Sequence, residues 1–367
     1  MEYTSAANSK KSAATAEQSS FGGDNRAMEN NMKNRSGAKG FSRRTVATLS
    51  VAGLMAVGSL AAIAAPSGAA AKKFTIALIP GLTTDPFYIT MHNGAAAEAK
   101  KLGVNLIWQG ASTWSTTLQI PVVKTVLAEH PNALLIAPTD VVALKAPIEQ
   151  FIKAGIPVIT VDTTLTDTSI LSGRITSNNF QGGELAAETI AKLAGSRGQV
   201  AVDNTVAGVS TTDARQAGFL AQIKKYKNMS VATVQYNNDT PTLAETQTKN
   251  IVLKYPNLVG IFGTNLYGAQ GAGTAIKNAG KAGKIFVAAY DPEPATVKLL
   301  QDGVINVLVM QQPAVEGADA VQYAYDVLTG HKSLVPKSTL VPNVIATTAN
   351  SHSPSITKYF YQSTLSK

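Results

Sequence analysis

The sequence predicts an α/β fold with parallel sheets in two halves, and three observations carry that expectation. Nine strand-like apolar runs recur between residues 74 and 310. Helix-length segments of about 11 to 18 residues separate most of them, the spacing that parallel strands joined by crossover helices require. Polar residues gather after the runs, at what would be the carboxyl edge of such a sheet, where open α/β proteins bind small molecules. Roughly 300 residues of this pattern amount to about two domains.

The first run, 74–79, leads into Thr84-Asp85-Pro86-Phe87-Tyr88. Asp85 and two rings therefore fall on the turn between the first strand and the first helix. An aromatic face covers the C–H face of a sugar or polyol, while a carboxylate accepts hydrogen bonds from its hydroxyls. The next runs are 104–108, 133–136 and 157–161. They are followed in turn by Gln109-Gly110-Ala111-Ser112-Thr113-Trp114, by Pro138-Thr139-Asp140 and by Asp162-Thr163-Thr164. Runs at 199–203, 231–235, 259–262, 285–289 and 305–310 continue the alternation, with Asn265, Asp291 and Gln311-Gln312 after the last three. A lone Asp after a strand is usually an N-cap. Seven strand ends that deliver carboxylates, amides and rings together describe a cleft lined with hydrogen-bonding groups.

Local signals mark the helix ends. Thr116-Thr117-Leu118-Gln119 has capping-box spacing before a helix that runs to His130. Thr240-Pro241 offers an N-cap followed by proline at the first helical position. Gly103, Gly155 and Gly280 stand where helices should stop. No close internal repeat is visible.

What precedes the first run bears on compartment. Residues 1 to about 40 are rich in Ser, Asn, Ala and Lys and read as disordered. Ser42-Arg43-Arg44-Thr45-Val46 then opens a weakly apolar run to Ala65, and Ala69-Ala70-Ala71 stands just before Lys72-Lys73. Charged start, apolar middle and Ala-x-Ala end is the layout of an export signal, so residues 1–71 are expected to be a leader removed on export. The paired arginines give it a twin-arginine-like character. With no cysteine in the chain, a lipid-modified cysteine cannot tether it. The expected home is therefore the periplasm. The formal charge of +9 falls to +5 over residues 72–367, and those charges are scattered, which argues against a nucleic-acid surface.

Catalytic readings find little support. His92, His130, His331 and His352 are widely spaced and lack metal-ligand spacing. There is no G-x-S-x-G elbow. Gly268-Ala269-Gln270-Gly271-Ala272-Gly273 lacks dinucleotide-binding spacing and reads as tight packing. Asp162 and Asp291 are simpler as hydrogen-bond acceptors than as a glycosidase pair. No enzyme activity, cofactor or metal is expected.

Order and spacing over about 74–347 resemble the periplasmic sugar-binding proteins of the ribose-binding type. The residues that carry the resemblance are Asp85-Pro86-Phe87-Tyr88, Leu135-Ile-Ala-Pro-Thr-Asp140, Ala154-Gly-Ile-Pro-Val-Ile-Thr-Val-Asp162, Ser177-Asn-Asn with Gly182-Gly183, Gly263-Thr-Asn265, Tyr290-Asp291 and Gln311-Gln-Pro313. The resemblance implies a type I periplasmic binding protein: two Rossmann-like lobes with parallel sheets, joined by a three-stranded hinge and closing over one ligand. It places the first lobe at 73–177 plus 312–342 and the second at 178–311 plus 343–360. Asp85, Phe87, Tyr88 and Asp162 would line the first lobe, and Asn265, Asp291 and Gln311 the second lobe and hinge. The implied partner is the membrane permease of an ABC importer, a chemoreceptor is a compatible second partner, and the implied state is a monomer. A repressor with the same core would need an N-terminal helix-turn-helix, where this chain has its leader.

Departures from the ribose pattern concern the ligand. Thr163 and Asp213 occupy positions where ribose-type members carry sugar-binding arginines. Arg215, two residues further, stands in a place more often used for helix packing. Fewer guanidinium donors suit a ligand that itself donates more, such as another pentose, a hexose or a small polyol. The 109–114 segment, with Trp114 able to stack on a ligand, looks closer to branches that bind other sugars, polyols or the sugar-like signal autoinducer-2.

Overall fold

The computed structural model describes residues 73–366, so the expected leader, with Arg43-Arg44 and Ala69-Ala70-Ala71, lies outside the described residues. The chain enters through β1 (Thr75–Ile79), α1 (Pro86–Leu102), β2 (Asn105–Trp108), α2 (Thr116–Ala128), β3 (Ala133–Ile136), α3 (Lys145–Lys153), β4 (Val158–Val161) and β5 (Gly173–Ser177). A second series follows: α4 (Asn179–Leu193), β6 (Arg197–Asn204), α5 (Ser210–Ile223), β7 (Asn228–Tyr236), α6 (Pro241–Lys254), β8 (Leu258–Gly263), α7 (Leu266–Asn278), β9 (Phe286–Tyr290), α8 (Pro294–Gln301) and β10 (Val307–Met310). The chain then returns through α9 (Pro313–Leu328) and β11 (Thr339–Val341), and passes back through β12 (Val344–Ala346) to α10 (Pro354–Thr357).

These strands form two six-stranded sheets with one strand order, β11-β5-β4-β3-β1-β2 and β12-β10-β9-β8-β6-β7. All pairs are parallel except β10 with β12. The sheets are joined at three places: between β5 and α4, between β10 and α9, and between β11 and β12. The fold is thus two α/β lobes with a three-stranded hinge, as expected. All nine strand runs read from the sequence are present. The absence of a sequence repeat hides a repeat of architecture.

Both faces of each sheet are covered by helices, which is why the central strands are continuous apolar runs. In β1, Ile76 and Leu78 point to one core cluster and Ala77 and Ile79 to the other. Three strands, β5, β11 and β12, were not read from the sequence. β5 is Gly-Arg-Ile-Thr-Ser and the other two are only three residues long, so none carries a strong apolar signal. One cap also differs from expectation. Ser115, not Thr116, caps α2, its hydroxyl accepting from Leu118 N. Gln119 turns inward instead, where its amide donates to Pro80 O and Ala137 O and its oxygen accepts from Thr139 N. A buried amide with every group satisfied stitches the ends of β1 and β3 together. Thr240 does cap α6 by position, with Pro241 at its start, though its hydroxyl makes no cap bond. Gly103, Gly155 and Gly280 follow helices with left-handed backbones, φ 70, 76 and 61. Among the described residues no helix is long and apolar enough to cross a membrane.

Candidate binding site

The carboxyl edges of both sheets face one partly open cleft, with about 450 Å³ of atom-free space that includes its solvent-open mouth and about 50 Å³ for the centres of water-sized molecules. One water needs roughly 10–15 Å³ by that measure, so the space suits a small ligand that displaces a few waters. Its wall takes residues from the segments after β1, β2, β4, β6, β7, β8 and β9, and from the hinge at Gln311.

From the first lobe come Asp85, Phe87, Tyr88, Trp114 and Asp162. Asp85 caps α1, accepting from Phe87 N at 2.8 Å through Oδ1. Pro86 at the first helical position and this cap hold the rings of Phe87 and Tyr88 edge to face, with centroids 5.0 Å apart. The Tyr88 hydroxyl donates to Asp162 Oδ2 at 2.6 Å. Trp114 packs against Gly81, where a Cβ would strike its ring, and also faces the cavity.

The second lobe supplies Arg215, Asn265 and Asp291. Asn265 caps α7 through Oδ1 and donates through Nδ2 to Asp239 Oδ1 at 2.7 Å. Asp291 accepts from Leu266 N, from Gln311 Nε2 and from the Tyr361 hydroxyl. Leu266 opens α7, so Asp291 also sits at the positive end of a helix dipole. Asp162 and Asp291 occupy equivalent places in the two lobes, just after β4 and β9, and both have left-handed backbones, φ 65 and 71. Such strain in non-glycine residues clusters at ligand sites, where the surroundings over-determine it. In each lobe the strained N–H donates to the neighbouring strand, to Ile175 O and to Val309 O.

Arg215, expected among the site residues although its position is one more often used for helix packing, is engaged by protein on most sides. Its Nε donates to Asn179, Nη1 to Thr264 O and Nη2 to Gln311 Oε1, and its guanidinium lies 4.0 Å over the Tyr290 ring. The guanidinium still lines the cavity, but most of its donors are engaged by protein.

The cavity is acidic. Burial is the first cause that pushes Asp162 and Asp239 each up to about 6; hydrogen bonds from Tyr88 and Asn265, respectively, pull the other way. Asp85 is pushed well above the usual carboxylate range by burial and then by nearby Asp291. It keeps part of its surface on the cleft, yet protein crowds it from both lobes. Among the described residues no group of three or more His, Asp or Glu is placed to hold a metal ion.

Two expected site residues are not in the wall. The Thr163 hydroxyl is buried and donates to Pro138 O at 2.8 Å, fixing the neighbouring turn. Asp213 turns back to its own loop, accepting from Gly208 N at 2.8 Å, because it lies in the first turn of α5. Six wall residues were not singled out: Leu82, Thr205, Val209, Thr211, Thr212 and Asp239. The signal existed for most of them. Val209, Thr211 and Thr212 lie just before Asp213, whose position drew attention in the sequence, and Asp239 ends the polar turn after β7.

Comparison with known proteins finds relatives over most of the described chain. Residues 76–332 match the family model described as a periplasmic binding protein domain. A ribose import binding protein of Salmonella typhimurium is 32% identical over 276 residues, covering 75% of this chain and 92% of that protein. An ABC transporter solute-binding protein of Agrobacterium vitis, solved with α-D-tagatopyranose bound, is 38% identical with a TM-score of 0.77; the match covers 79% of this chain and 100% of that one. Another, from Actinobacillus succinogenes with bound D-allose, is 30% identical with a TM-score of 0.71, covering 76% and 99%.

Proposed function

The chain belongs to the periplasmic binding protein family, and from that premise we propose that it captures a monosaccharide or small polyol between its lobes and delivers it to an ABC-type importer. One observation carries the choice of ligand. Asp85, Asp162 and Asp239 each use one carboxylate oxygen on a protein donor and have no protein hydrogen bond on the other, and all three line the cavity. A ligand that fills this space must donate several hydrogen bonds while showing apolar faces to Phe87 and Trp114. Small sugars and polyols do both. With Arg215 largely engaged, the wall offers few donors, which favours a ligand other than ribose.

In this reading 73–177 plus 312–342 move as one body and 178–311 plus 343–360 as the other. The closed form is what a permease recognises, and a chemoreceptor would read the same surface. Residues 1–71 direct export, so the mature chain works as a free monomer in the periplasm. A thermal-shift screen against pentoses, hexoses, polyols and amino acids tests the ligand class. A true ligand at 100 times its Kd stabilises by about 2.7 kcal/mol. A hit among amino acids with none among sugars or polyols would sink the carbohydrate reading.

A further inference from the structure

Beyond the three hinge crossings, the last described residues return from the second lobe to the first. Tyr359 and Phe360 pack against the second-lobe core, whereas Tyr361 is buried in the first-lobe core. The Tyr361 ring lies edge-on to Phe87 with centroids 5.7 Å apart. Its backbone N–H nevertheless donates to Pro292 O at 3.0 Å, and its hydroxyl to Asp291 Oδ1 at 2.8 Å, both in the second lobe. Tyr361 therefore touches one cavity residue from each lobe without lining the cavity itself. The chain beyond it is pinned to α1. Gln362 N donates to Thr90 Oγ1 at 2.7 Å, and Ser366 N to Asn93 Oδ1 at 2.6 Å. The Asn93 amide donates to the Gln362 side-chain oxygen and to Thr364 O.

We propose that residues 361–366 form a strap, a fourth link between the lobes, with Tyr361 as a positioning residue for Asp291 and Phe87. Asp291 keeps its left-handed backbone because its surroundings over-determine it. Two of its side-chain donors, Leu266 N and Gln311 Nε2, come from the second lobe and the hinge, and the third arrives on the strap. Opening the cleft must move Tyr361 away from one of its two partners. The strap therefore narrows the range of open states and lowers the ordering needed when a ligand closes the lobes. Its effect on affinity rests on the sugar-binding reading; its effect on the lobes does not.

Two variants outside the cavity wall test it. Tyr361→Phe keeps the ring and removes the donor, and Asn93→Ala releases the end of the strap, Gln362 to Ser366, from its Asn93 bonds while the Thr90 bond stays. Titration calorimetry with D-tagatose, D-allose, D-arabinose and D-ribose should show Tyr361→Phe binding on the order of 10-fold more weakly than the parent, the scale of one hydrogen bond to a carboxylate, and Asn93→Ala, which loses neutral bonds only, on the order of 3-fold more weakly. The chain has no cysteine, so spin labels at Ala97→Cys and Lys281→Cys, one on each lobe, report the interlobe distance without ligand. Asn93→Ala should broaden that distribution. A segment that only stabilises would lower the unfolding midpoint while leaving affinity and distance width at parental values, and that result overturns the strap. If none of the four sugars binds the parent, the ligand class is decided by the wider thermal-shift screen, and the ligand-free distance width alone decides the strap.

Discussion

At the residue scale, the acids of the cavity are held in a form that suits a ligand and disfavours the empty fold. Asp239 is raised to about 6, first by burial. A carboxyl whose folded pKa exceeds its unfolded value keeps its full stability below the unfolded pKa, about 4, and that stability falls as pH rises to about 6. Asp239→Asn removes this dependence while keeping an oxygen for Asn265 Nδ2. We expect the empty variant to gain about 1–2 kcal/mol at pH 7.5 and nothing at pH 4, read from urea unfolding at both pH values, while its sugar affinity falls. Equal gains at the two pH values would exclude burial of the charge as the cause. Asp239 carries a polar-turn signal that is hard to assign to a site, because the turn is polar for a structural reason too: Asn238 and Asp239 both take left-handed backbones, φ 51 and 55. Arg215 was hard to assign for a related reason: one guanidinium packs, braces the hinge glutamine and faces the cavity together.

At the element scale, helix contacts place those side chains. A Cβ on Gly183 of α4 would overlap Arg215 O on α5, and one on Gly218 of α5 would overlap Phe180 O on α4. The two helices meet backbone to backbone, which sets how far Arg215 reaches toward Asn179 and Gln311. Gly183→Ala must push the pair apart. It should destabilise by about 1–3 kcal/mol, the range for overpacking, and weaken ligand binding as well, because Arg215 moves with α5. Chemical unfolding and calorimetry on one variant separate the two effects; a stability loss with unchanged affinity would show that the Arg215 position does not depend on this contact. Gly182-Gly183 could be read as a motif, but the partner helix could not, since the sequence gives no register between α4 and α5. Gly271 supports the packing reading of its segment, as a Cβ there would strike Ala244 and the start of α6. The capping-box spacing at Thr116 misled for a local reason. Gln119 finds better partners on β1 and β3 than at its own helix end.

At the scale of the whole molecule, the periodic parts of the fold were legible because apolar runs and helix-length spacers specify each lobe. The hinge was legible only through the family resemblance, because β11 and β12 are too short to carry a pattern of their own. Its strands are cross-bonded: Asn178 N donates to Val341 O, Asn343 Nδ2 to Asn178 O, and Gln312 Nε2 to Pro342 O, each at 2.8 Å. Bonds of this kind stay within the hinge as the lobes rotate. The bond from Thr164 N, after β4, to Ser210 Oγ, at the start of α5, is different, because it spans the two lobes at 2.9 Å. Opening the lobes breaks it, so it belongs to the closed state alone and biases the equilibrium by its own free energy. A net hydrogen bond contributes about 0.5–1.5 kcal/mol, which shifts the closed population by roughly 2- to 12-fold. Ser210→Ala should therefore weaken sugar binding by that factor without touching the cavity wall. Small-angle scattering of the empty variant should show a larger radius of gyration than the parent. If affinity and radius both stay at parental values, the Thr164–Ser210 bond is not part of the closing energy, and closure depends on the ligand and the hinge.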